Sequence, residues 1–95
     1  MLVHVVLFKL KERTEENLQQ TRDILLNMKG KIPMLLDIEV GIDVVHSERS
    51  YDIGLVTKFE SLEALQQYNV HPIHQEVIAH MAKVREASVS VDFYI

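Results

Sequence analysis

Apolar side chains fill both alternating faces of the segment from Leu2 to Leu10. Leu2, Val6, Phe8 and Leu10 share one face with His4, and Val3, Val5 and Leu7 share the other. The β-branched and aromatic content predicts a strand, and two apolar faces predict a strand covered on both sides. The period then changes. Leu18, Thr21, Leu25 and Met28 recur at helical spacing with Ile24 beside them, which predicts an amphipathic helix. Thr14 stands where a hydroxyl caps free N–H groups, and Glu15 and Glu16 fall in the first turn, where the helix dipole favours carboxylates. Gly30 is expected to end this helix and Pro33 to prevent its resumption.

Leu35 to Val45 alternates cleanly, with Leu36, Ile38, Val40, Ile42 and Val44 on one face and Asp37, Glu39 and Asp43 on the other. One wet side marks an edge strand. The polar run His46-Ser47-Glu48-Arg49-Ser50 predicts a turn and Tyr51 to Phe59 a third strand, so residues 35–59 read as a hairpin. Ser61 is placed to cap a short helix carrying Leu62, Leu65 and Tyr68. Asn69-Val70-His71-Pro72 breaks it. Proline suits the first turn of a new helix and forces His71 into the extended conformation of an N-cap. Ile73, Val77, Met81 and Val84 lie along that helix, and Ala87 to Ile95 alternates again as a last strand.

The order β-α-β-β-α-β with right-handed crossovers predicts an α+β fold in a single domain over residues 1–95. Its antiparallel sheet would run 4-1-3-2 with the helices on one face. The first strand then poses a difficulty, because the helices hide only one of its two apolar faces. A chain this short also buries only about 60–65% of its unfolded surface, and a bare apolar patch marks an interface. A homodimer that closes two sheets face to face into a barrel-like core answers both points. The pattern leaves open which face of the first strand meets the partner.

Composition narrows the functional classes. The 95 residues contain no cysteine, so disulfide scaffolds, thiolate zinc sites, iron–sulfur clusters and cysteine nucleophiles are excluded. A formal net charge of −4 lacks the basic footprint of a nucleic-acid or anionic-membrane binder. No apolar run reaches membrane-spanning length, and no basic leader or cleavage site is visible. The expected compartment is the cytoplasm.

Tyr68, His71 and His74 form the one tight cluster of chemically capable side chains. With Pro72 at the first helical position, His74 occupies the third, beside the positive end of the dipole. That position disfavours imidazolium and keeps the ring in the form a general base needs. Tyr68, from the preceding turn, could donate to a substrate carbonyl or a developing enolate. A purely structural reading stands beside this one: His71 caps the helix, Tyr68 fills the core and His74 is an ordinary first-turn residue. His71 and His74 also have metal-like spacing, but His4, His46 and His80 are scattered along the chain and no ligand set is expected. No cofactor fingerprint is present.

Several motifs in register resemble one family. They are His4-Val5-Val6-Leu7-Phe8-Lys9-Leu10-Lys11, Tyr51 to Val56 through Phe59 to Leu65, Tyr68-Asn69-Val70-His71-Pro72-Ile73-His74, and Val91-Asp92-Phe93. The chain resembles the stress-responsive dimeric α/β barrel domains over nearly its whole length. The resemblance implies a ferredoxin-like fold and a barrel dimer. It also implies, from a plant polyketide cyclase of the family, cofactor-independent aldol chemistry with His74 matching the base, Tyr68 the tyrosine and His4 a pocket histidine. Leu25 and Arg85 stand where that cyclase carries aromatics and Ile53 where it carries a histidine, which implies a different, smaller or more polar ligand.

The expected site is therefore His74 and Tyr68 as catalytic groups, with His4, Val6, Phe8, Leu25, Ile53, Leu55 and His71 around a small apolar ligand. The alternative expectation is a non-catalytic dimer without a substrate.

Overall fold

In the computed structural model, which describes residues 1–95, the chain runs β1 (Leu2–Leu10), α1 (Glu15–Leu26), β2 (Asp37–Ile42), β3 (Ile53–Phe59), α2 (Leu62–Asn69), α3 (Pro72–Val84) and β4 (Arg85–Tyr94). The sheet order is β2-β3-β1-β4 and every pair is antiparallel. This is the ferredoxin-like arrangement that the patterning predicts, read from the opposite edge.

The caps form as the residue types dictate. Thr14 Oγ1 accepts the N–H of Asn17 and Ser61 Oγ that of Ala64. His71 is extended, and its Nδ1 accepts the N–H of Ile73 at 3.2 Å. One boundary differs from expectation. α1 ends at Leu26 rather than at Gly30, because the chain tightens into i+3 bonds from Met28 to Leu25 and from Lys29 to Leu26. Gly30 then takes the left-handed conformation, φ 78°, which a residue without Cβ adopts freely.

β1 presents its even-numbered side to the helices. Leu2, Phe8 and Leu10 are buried there, and the cross-strand partners Ile53, Leu55, Thr57 and Phe59 of β3 are buried with them. Phe59 and Tyr68 are both fully buried, ring centroids 4.9 Å apart, and join sheet to α2 at the centre of the core. β2 covers less than the predicted strand: Leu36 and Val44 continue its alternation but lie exposed outside the ladder.

On the outer face of the sheet the β1–β4 half is apolar and, Val3 apart, largely uncovered within the protomer. Val5 pairs with Val91 and Leu7 with Val89, and Leu7, Val89, Val91 and Phe93 are all exposed.

The β1–β3 corner is tied by one buried carboxylate. Asp52 accepts the backbone N–H of Leu10 at 2.7 Å and Nε–H of Arg13 at 3.0 Å, while its own N–H donates to Phe8 O.

Candidate functional site

Between the inner face of the sheet and helices α1 and α3 lies a cavity of about 210 Å³. His4, Val6 and Phe8 of β1 and Leu55 of β3 form its floor. Leu25 of α1, Tyr68 of α2 and His74 of α3 line it from the helix side. Met28, Val77, Ile78 and Met81 complete the apolar wall, and Arg85 and Ser88 line it from the start of β4.

Two residues expected in this group are placed elsewhere. Ile53 packs in the closed core beside Ile42 and Phe8, one cross-strand pair beyond Leu55, and does not line the cavity. His71 does not line it either, because its ring is turned back to cap Ile73.

His74 is held in a definite tautomer. Its Nδ1 lies 3.1 Å from the carbonyl oxygen of Asn69. A carbonyl only accepts, so Nδ1 carries the proton and Nε2 keeps its lone pair. Burial lowers the pKa below the ordinary 6.5; the nearby His4 and His71 push the same way, and the Asn69 carbonyl partly opposes them. The ring is therefore neutral at pH 7. Its cause is desolvation first, rather than the dipole invoked from the helix position.

Tyr68 lies against this ring, centroids 4.0 Å apart. Its hydroxyl points to Met28 Sδ at 3.7 Å, and burial pushes its pKa above the ordinary tyrosine range. It stays protonated and donates to a weak thioether acceptor, which a carbonyl or enolate oxygen outcompetes.

Asp92, opposite His4 in the β1–β4 ladder, hydrogen-bonds His4 Nδ1. The carboxylate thereby orients that ring with Nε2 free. The pattern of Ser88, Ser90 and Asp92 along one strand face was visible in the sequence, but the register that sets Asp92 against His4 was not. The methionine wall also lacked a signal distinguishing it from ordinary core.

Away from this cavity, a polar cleft of about 300 Å³ runs past Lys11, Asn17, Gln20, His80 and Lys83. His80 Nε2 is buried there without a partner. Nowhere do three or more His, Asp or Glu side chains converge as metal ligands, and no helix is long and apolar enough to cross a membrane.

The profile of the stress responsive A/B barrel domain family (Dabb) matches residues 2–95. The chain belongs to this family. It is similar to olivetolic acid cyclase of Cannabis sativa, 31% identical over 74 residues, which cover 75% of this chain and 73% of the cyclase. Among solved structures it is similar to a dimeric protein of unknown function with a ferredoxin-like fold from Bacteroides fragilis NCTC 9343, 26% identical, with a TM-score of 0.83 over 99% of this chain and 95% of that one. It also superposes on the hydroxynitrile lyase of Passiflora edulis, TM-score 0.85 over 99% of this chain and 92% of that one. At 15% identity that likeness is one of fold. The scaffold shared with these structures carries a histidine-lined cavity in this chain.

Proposed function

We propose that this Dabb protein works as a homodimer that binds a small, largely apolar carbonyl compound in the cavity and catalyses cofactor-independent enolisation or aldol-type chemistry on it. The observation that carries this reading is His74: a neutral imidazole with a free Nε2 at the wall of an apolar cavity. In the proposed step, Nε2 takes a proton from the carbon beside a carbonyl. The C–H electron pair becomes the enolate, and Tyr68 O–H donates to the enolate oxygen. The enolate carbon then attacks a second carbonyl, and the new alkoxide takes the proton back from His74.

The test is solvent deuterium exchange into a panel of β-polyketones and aldol substrates, followed by product formation, with parent protein and His74→Ala. Exchange falling by about 10²–10⁴-fold in the variant is the expected result. Equal exchange by both proteins removes His74 from the mechanism. A non-catalytic dimer without a substrate is the second reading, favoured by one observation: the Tyr68 hydroxyl already has Met28 as its partner. Neither binding nor exchange by the parent across the panel would select it.

A further inference from the structure

The cavity is a slot laid along α3. His74, Val77, Ile78 and Met81 of α3 line it, at i, i+3, i+4 and i+7, the spacing of one helix face, and Arg85, the residue that ends α3, lines it just beyond. At helical rise, His74 and Arg85 stand roughly 16 Å apart along the axis. The sheet side repeats this polarity. His4 is near enough to His74 for its charge to act on that ring. Ser88 pairs with Phe8 at the other end of β1, roughly 13 Å from His4 at strand rise. Two imidazoles therefore mark one end, a guanidinium and a hydroxyl mark the other, and apolar walls join them.

Arg85 reaches this face through a β-bulge. The β1–β4 register runs one for one as far as Lys9 with Ala87, then passes to Leu10 with Arg85, leaving Glu86 as the extra residue. Regular alternation from Ser88 would set Glu86 against the buried Leu10. The bulge sets Arg85 there, as bulges re-aim side chains, and Glu86 turns to Arg13, Oε2 3.8 Å from Nη2. One inserted residue thus exchanges a carboxylate for a guanidinium at the mouth of the slot. The Arg85 backbone is held by its N–H to Met81 O. Its side chain makes one hydrogen bond, Nη1 to Ser88 Oγ at 3.3 Å, and no carboxylate lies within ion-pair distance. Most of its five donors have no protein acceptor.

We propose that the occupant of the slot is an amphiphilic carboxylate, gripped through its carboxylate by Arg85 and Ser88, with its apolar body along α3 and its far end at His74 and His4. This rests on the reading of the slot as a ligand site and adds the class of molecule it takes. A cavity of about 150 Å³ already admits benzene, so short-chain probes suffice.

The experiment titrates ¹⁵N-labelled protein with hexanoate, hexanamide and acetate, following the side-chain signals of His4, His74 and Arg85. Hexanoate is expected to shift both ends and to bind about threefold tighter than hexanamide, the preference that an exposed guanidinium gives a carboxylate. Acetate is expected to shift Arg85 alone. Arg85→Gln should abolish the preference while hexanamide binding and the backbone spectrum persist. Arg85→Lys should keep part of it, because lysine supplies charge without the fork. Equal affinity for hexanoate and hexanamide, both shifting His74, overturns the carboxylate assignment and leaves the slot standing. Failure of both probes to shift His74 or His4 overturns the ligand-site reading and this inference together.

Discussion

Burial governs the behaviour of His74 more than its place in the helix does. Because its pKa lies below the ordinary 6.5 in the folded protein, the unfolded chain binds more protons across the interval between the two values. Stability therefore rises with pH through that interval. The penalty is absent above 6.5, grows as pH falls and levels off below the folded value. His74→Gln should flatten this part of the profile, read as denaturant midpoints from about pH 5 to about pH 8. The same shift predicts that the acid limb of any His74-dependent rate lies below 6.5. The identity and helix position of this residue are legible in the sequence. Its tautomer is not, because the acceptor is a backbone carbonyl, Asn69 O, that any residue at that position would supply.

At the scale of elements, the packing of strand ends depends on a group that the patterning passes over. Asp52 is a carboxylate of a loop-edge residue, yet it is 7% exposed and satisfies Leu10 N–H at the end of β1. Asp52→Ala strands that donor and should cost about 1–3 kcal/mol in chemical denaturation. Arg13→Ala, which removes only a half-exposed partner, should cost less than about 1 kcal/mol. Equal losses for the two would show that the ion pair, not the N–H contact, holds the corner. Helix starts were legible because caps are local chemistry: Thr14, Ser61 and His71 each act within three residues of themselves. Strand ends were less so, because pairing stops where the partner strand stops. The β4 bulge belongs to this class, since alternation within one strand carries no record of a residue inserted against its neighbour.

At the scale of the molecule, the decisive feature is the apolar outer face of β1 and β4. We expect sedimentation to give twice the 11.0 kDa of the chain at micromolar concentration. Leu7→Lys and Val91→Lys, which place charges on exposed positions of that face, should release protomers. A parent protein that sediments as a lone protomer would remove the dimer. Element order, sheet order and the excess of apolar surface were all determined by the sequence alone. They follow from period, caps and chain connectivity, each set over a few residues or by handedness. Tertiary structure alone decided that the even-numbered side of β1 faces the helices, that His4 meets Asp92, that Ile53 leaves the cavity, and that Arg85 enters it. Those outcomes depend on register between strands distant along the chain, and a shift of one residue there reverses which side chains share a face.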